Sequence, residues 1–335
     1  MQLNCDISLN LFNNLINLVE INSKLKLLDI SHKVSEEINI EDFIYFSKLL
    51  NLEIDTIDIK TYALGLHKIE DNFYNHITSG YRNSNEMIPS FDIYKNDIFS
   101  LNVISRINKV LTEKTVEVWE SGKLRNADFP YNGEYDFLKE KQIVDDDKIH
   151  DSLYELFNFY KDDKYPKILK VFILTYNLFL LKPFCALNDL SVVVIMKLLL
   201  FDIDFFPNIP YLKIFYENKK DLDISVDINT WINNLSEILN KAFRDEYQYI
   251  LKYISLEKRK FLSNKLISGL NQRQQNIFFF LLENKNISRL EYSRIYKISP
   301  MTAYRDLNDM KNKNILASFG NGRGLRYTIL EKFLI

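Results

Sequence analysis

The sequence predicts a mainly α protein, an all-helical body followed by a small α+β module, on three observations. The 335 residues contain only 8 Gly and 7 Pro, so chain breakers are scarce. Apolar residues recur at three- and four-residue spacing over most of the length, the period of a helix face. The charge balance then changes sign: Leu256–Ile335 carries 15 Lys+Arg against 6 Asp+Glu, while residues 1–255 carry 28 against 39. A basic module on an acidic body points to an anionic partner for the module alone, or to attraction between the two halves.

Composition narrows the class. Hydrophobic content of 47% and charged content of 26% are those of a globular chain with a large core. The first residues, broken by Asn and Asp, do not read as a signal peptide. The longest apolar runs are short for a bilayer and contain Lys197. Cys5 and Cys185 give neither a zinc pattern nor a disulfide framework, so a reducing cytoplasm is expected. His32, His67, His76 and His150 are scattered without metal spacing. The abundance of Asn, Ile, Lys, Phe and Tyr reads as a coding bias, so isolated Asn patches carry no weight.

Along the body, Ile149, Leu153, Leu156, Phe157 and Tyr160 fall on one helical face, as do Ile228, Trp231, Ile232, Leu235, Ile238, Leu239 and Ala242. Turns are expected at 79–90, 121–135 and 202–211, where Gly, Pro, Ser and Asn cluster. Asp145–Asp147 reads as a solvated run, and Phe205–Phe206 and Phe278–Phe280 read as core. The expected divisions are a helical region 1–97, a second helical domain 98–255 and a module 256–335.

The module has the most legible local code. Residues 271–285 predict a helix with Ile277, Phe280 and Leu281 inward. Ser288 with Glu291 has the spacing of a capping box. Ser299 caps a third helix with Pro300 at its first position, burying Ala303, Leu307 and Met310. Residues 315–330 read as two short strands around a Gly-rich turn; "GNGRG" lies in that hairpin and is not a phosphate loop. Helix, helix, turn, helix and basic hairpin, from Leu270 to Leu330, resemble a winged helix-turn-helix domain. The resemblance implies double-stranded DNA as partner, with the third helix in the major groove. Met301, Thr302, Tyr304 and Arg305 would reach base edges, with Asn308 at the limit. Lys297, Arg323 and Arg326 would meet the phosphate backbone. Paired half-sites would make the protein a homodimer.

The body carries a second resemblance. "SGKLRNADFPY", "KILKVFILTYNLFLLKPF" and the ending "DINTWINNL" fall in the order found in the Fic family, whose enzymes transfer AMP from ATP to a protein hydroxyl. The family signature is His-Pro-Phe-x-Asp/Glu-Gly-Asn-Gly-Arg-x-x-Arg. Over 182–193 this chain matches it only at Pro183, Phe184 and Asn188. Lys182 stands at the general-base histidine, and an ammonium cannot take a proton. Ala186 stands at the Mg²⁺-binding acid, Leu187 and Asp189 at the two glycines, and Leu190 and Val193 at the two arginines. Amides at the start of the following helix would still face an anion. Glu70 falls at the place of the family's inhibitory glutamate, with Leu66 and Asp71 departing from that motif.

These readings converge on a DNA-binding transcriptional regulator built on a catalytically inactive Fic-like body, needing no cofactor. The alternatives are a divergent adenylyltransferase using ATP and Mg²⁺, and an inactive subunit that binds another protein through the helical body.

Overall fold

The computed structural model describes residues 1–28, 32–56, 58–59, 72–138, 144–266 and 269–330, with 32–39, 92–96, 256–266, 283 and 323 described by backbone alone. Contacts divide the chain into two units, Met1–Tyr247 and Gln248–Ile335.

The first unit is built on two central helices, α6 (Lys167–Leu181) and α7 (Asn188–Asp202). Almost every residue of both is buried, from Ile168 to Leu181 except Leu180 and from Asn188 to Leu200 except Lys197. Helices that are apolar all round must lie inside a domain, and these two pack on each other. Around them stand α1 (Leu9–Lys26), α2 (His32–Leu49), α3 (Asn72–Glu86), α4 (Leu101–Thr112), α5 (Ile149–Lys161), α8 (Tyr211–Glu217) and, up to Tyr247, α9 (Ile228–Leu266), whose remainder belongs to the second unit. α5 packs on α6, α4 on α7, α3 on α4, and α2 on α8. The buried ammonium of Lys170 donates to the carbonyls of Tyr160 (2.7 Å) and Asp162 (2.6 Å), closing the C-terminus of α5 with a positive charge.

One expected turn is a helix. Residues 79–86 continue α3, and a 3₁₀ segment follows from Ile88 to Asp97. Ser79 and Asn85 turn their side chains back onto the carbonyls of Asn75 and Tyr81 (both 2.7 Å), so they do not compete with the helix. Gly80 allows close packing here: a Cβ would lie 2.7 Å from the Leu111 carbonyl oxygen of α4. In α5, Phe159 joins Ile149, Leu153 and Leu156 in the core, while Phe157 and Tyr160 are half-buried against the edge of Phe99. Phe243, one residue past Ala242, completes the buried face of α9.

The second unit holds α10 (Gln272–Glu283), β1 (Ile287–Ser288), α11 (Arg289–Ile295), α12 (Pro300–Asn312), β2 (Leu316–Phe319) and β3 (Arg326–Ile329). Its sheet is antiparallel in the order β1-β3-β2, with Ser318 opposite Tyr327 and Ile287 on its other side. The strand β1 was not expected from the sequence. Both predicted caps form, Ser288 with Glu291 as a complete capping box and Ser299 accepting from the Thr302 amide. Asn271 and Gln274 form another box at the start of α10. Phe278, rather than Phe280, is fully buried with Ile277, Tyr292, Ala303, Leu307 and Met310.

Candidate functional site

The segment 182–193 joins α6 to α7 and lies at the centre of the first unit. Lys182 ends α6 in the left-handed conformation (φ 45°), and Leu187 adopts it again (φ 54°) at the start of α7. Such backbone disfavours a Cβ, so contacts around the loop must hold it. Asn188 accepts from the Phe184 amide (2.7 Å) and donates to the Phe184 carbonyl (2.9 Å). Asn108 of α4 donates to the Ala186 carbonyl and the Ser191 hydroxyl (both 2.9 Å). Its oxygen accepts from Gly122 (3.1 Å), where φ is +74° and a Cβ would lie 2.8 Å from the Lys109 Cβ.

The irregular stretch 121–136 closes over the loop. Leu124 and Phe184 form an antiparallel bridge, with the Arg125 amide donating to Pro183 (3.0 Å) and the Cys185 amide to Lys123 (3.2 Å). The Asn132 amide donates to the Cys185 carbonyl (2.7 Å). Arg125 is buried and donates to the carbonyls of Lys182 (2.7 Å), Val144 (2.6 Å) and Leu181 (3.1 Å) while pairing with Asp146. It therefore caps the last carbonyls of α6. Asp146 is thus half-buried in an ion pair, which corrects the expectation that 145–147 is only a solvated run.

Lys182 is fully buried, and its ammonium donates to the Leu138 carbonyl (2.9 Å), pairs with Asp189 and stands 3.6 Å from Asp136. Asp189 accepts from the Leu138 amide (2.6 Å). Asp136 accepts from the Tyr131 hydroxyl (2.7 Å) and from the Asp189 amide (3.0 Å). Burial raises the Asp189 carboxyl above its ordinary range; the charge of Asp136 adds to this and that of Lys182 opposes it.

This geometry overturns the expectation of free amides at the start of α7. The carboxylate of Asp136 is the anion at that helix end, supplied by the chain itself. The arrangement does not fit Mg²⁺ with ATP. Ala186 offers no ligand, Asp189 is paired with an ammonium, and the amides of Phe184, Cys185 and Asp189 are bonded within the protein. Among the described residues no group of three His, Cys, Asp or Glu could hold a metal ion. The Cys185 thiol is pushed up to about 11 by burial, which makes it unreactive at neutral pH. Asp136 and Asn108 could not be singled out from the sequence: each lies more than fifty positions from its partner in the loop.

In the second unit Met301, Tyr304 and Arg305 are exposed on α12, and Thr302 is half-buried, its hydroxyl 2.9 Å from that of Ser299. Lys297 is exposed in the turn at φ 50°. Arg326 is engaged, pairing with Glu291 (2.7 Å) and donating to Asn286, so it braces β3 against α11. The Arg323 side chain and Glu70 lie outside the described residues. Asp306 is buried under α12, held by Arg273 (3.1 Å) and by the Tyr292 hydroxyl (3.1 Å), while Asp309 accepts from Gln274 and Lys313 (both 2.8 Å).

No family model matches the sequence, and no curated protein does. Solved structures do match in fold. A Fic family protein from Desulfovibrio desulfuricans G20 aligns over 97% of both chains, at 12% identity and a TM-score of 0.62. Fic-1 from C. elegans aligns at a TM-score of 0.55 and 11% identity, over 71% of this chain and 72% of that one. A second form of Fic-1 gives 0.52, at 12% identity over 72% and 70%. The chain has a Fic-like fold, mainly helical with a small α+β part. Among the described residues no helix is long and apolar enough to cross a membrane.

Proposed function

We propose that the protein is a DNA-binding transcriptional regulator whose second unit is a winged helix-turn-helix reader and whose Fic-like body transfers no AMP. One observation carries the reading. Around α11, the turn and α12, Arg289, Arg294, Lys297 and Arg305 are exposed and form no ion pair or side-chain hydrogen bond among the described residues. The described carboxylates of the same unit, Glu291, Asp306 and Asp309, are all bonded to its own groups. The net effect is a set of unneutralised cations along the helix-turn-helix, while the unit's described carboxylates are taken up by its own groups.

On this reading Arg305 pairs with a base edge near the start of α12, and Tyr304 and Met301 make apolar contact beside it. Arg289, Arg294 and Lys297 meet phosphates. Arg326 holds the strand behind them. The body supports the non-catalytic half of the proposal, because its loop is filled by Lys182, Asp136 and Asp189 where a nucleotide's phosphates would need open amides.

The test is selection of genomic fragments by the purified protein beside a Thr302→Ala/Arg305→Ala variant, with affinity then measured against salt. A shared motif lost in the variant is expected. Three phosphate contacts predict that log K falls with log salt at a slope of about −2.5 to −3 for one module. No enrichment over the variant, or affinity indifferent to salt, refutes DNA reading and leaves these cations as a protein-docking surface. Labelling of any protein from ATP and Mg²⁺, lost on Lys182→Ala, would refute the non-catalytic body.

A further inference from the structure

α1 has two apolar faces, and only one of them is used. Leu11, Leu15, Leu18, Ile21 and Leu25 are buried in the first unit. On the other side Leu9 (76% exposed), Phe12 (51%), Ile16 (50%) and Val19 (47%) stand in water, with Ile7 just before them. Their spacing is 3, 4 and 3 residues, the period of a seam made to receive another helix. Single exposed apolar residues are ordinary; a continuous stripe of them on one helix is a docking surface.

We infer that this stripe is the self-association surface of the protein, and that its occupant is α1 of a second copy. The charge pattern selects that occupant. From Ile7 to Val19 there is no ionisable residue, although 26% of the chain is charged. Residues 1–255 carry 28 Lys+Arg against 39 Asp+Glu, so two bodies repel each other except where a neutral face lets them approach. A two-fold pair of identical stripes needs no charge complement, since apolar groups meet apolar groups about the axis. Glu20 and Lys24, at the end of the stripe, already neutralise each other at 2.6 Å. A charged protein partner would find nothing on this face to recognise. An anionic membrane would need unpaired Lys or Arg beside the stripe; Asn10, Asn13 and Asn17 are neutral, and Lys24 and Lys26 are paired with Glu20 and Asp204.

The stripe is short. With side chains about half exposed it offers roughly 400 Å² per copy, about half of what a standard stable interface buries on each side. Self-association is therefore weak, a concentration-dependent equilibrium between one and two copies. It does not depend on DNA reading, because the contact lies wholly in the first unit.

Sedimentation velocity of the full chain from 1 to 200 µM tests it. The mean mass is expected to rise from 39.8 kDa toward twice that value. Phe12→Glu/Ile16→Glu should remain monomeric throughout, a loss of at least thirtyfold in association. Both positions are exposed in the single chain, so circular dichroism and the melting curve should be unchanged, which separates lost contact from lost fold. Tyr154→Glu, another exposed position (68%) on α5, should associate as the parent does. A protein monomeric at 200 µM, or association equal in parent and Phe12→Glu/Ile16→Glu, overturns the inference. DNA binding measured on the same variant keeps the two proposals apart: a monomeric variant that still binds single half-sites leaves the regulator reading intact.

Discussion

Replacing Lys182 by Met, which keeps the length and removes the charge, tests the central claim about the loop. The change leaves Asp136 and Asp189 facing each other in a site where Lys182 and Asp189 are fully buried and Asp136 is 7% exposed. Removing one member of a buried pair costs about 3–5 kcal/mol, because the partner remains buried and uncompensated. The lost hydrogen bond to Leu138 adds about 1 kcal/mol. A loss of about 4 kcal/mol is a large part of a domain's usual 5–15 kcal/mol. It corresponds to a fall in melting temperature of roughly 10 °C for a unit of this size. Both tryptophans, Trp119 and Trp231, lie in the first unit, and Trp231 is fully buried, so their fluorescence reads unfolding of the body alone.

The pH dependence fixes the cause. A carboxyl whose folded value is raised contributes stability that is fully present below its unfolded value and is lost as pH rises through the folded one. Without Lys182 the Asp189 carboxyl is raised further, because the opposing cation is gone. The difference between variant and parent should thus be greatest at pH 8 and shrink as pH falls toward about 4. Lys182→Met/Asp189→Asn should recover about 2–3 kcal/mol at pH 8, since removing a buried pair together is far less harmful than removing half of it. A loss below about 1 kcal/mol at pH 8, or one indifferent to pH, would refute the reasoning and return Lys182 to the candidates for chemistry.

Other positions give independent checks. Glu246 is buried with one oxygen lacking a hydrogen-bond partner, and burial with the nearby Glu41 pushes its carboxyl up from 4.5 to about 7. Glu246→Gln should therefore add about 2–3 kcal/mol at pH 8 and almost nothing at pH 4, measured by urea denaturation. Arg125→Ala leaves two buried carbonyls, the half-buried Val144 carbonyl and Asp146 without their donor and should lower stability by at least 3 kcal/mol in the same assay. Gly80→Ala sets a methyl against backbone of α4 and should lower the melting temperature, whereas an exposed helix Gly→Ala would raise it.

The second unit was the more legible because its signals are local. A cap and its partner lie three residues apart, and Ser288, Glu291, Ser299 and Pro300 all stand where their sequence spacing put them. Asn271 with Gln274 follows the same rule and was readable. Helical phase among Phe278, Phe279 and Phe280 was not, because three adjacent aromatics offer no polar residue to mark the outer face. In the body the central helices were evident from apolar length, but the turn expected at 79–90 failed. Gly80 is there for close packing of α3 on α4, a tertiary reason that local composition cannot express. The Fic-like signature was legible as a set of replacements, while what the replacements do together was not.

That last point bears on how such a loop survives. Two non-glycine residues, Lys182 and Leu187, take left-handed backbone where the resembling family has His and Gly. Each position is disfavoured by about 1–2 kcal/mol. The structure offsets this from within: Arg125 holds the carbonyls of 181 and 182, Asn108 that of 186, and Asn188 both polar groups of Phe184. Asp136 closes the helix end, and Lys182 reaches across to neutralise the carboxylates thus buried. Placing a single residue of that family's signature here would not expose the loop. Lys182→His would shorten the cation's reach and leave Asp189 uncompensated; Asp189→Gly would leave Lys182 beside Asp136 alone. Exposing the amides of this loop needs at least Lys182, Asp136 and Asp189 changed together, because both carboxylates are held by the ammonium between them.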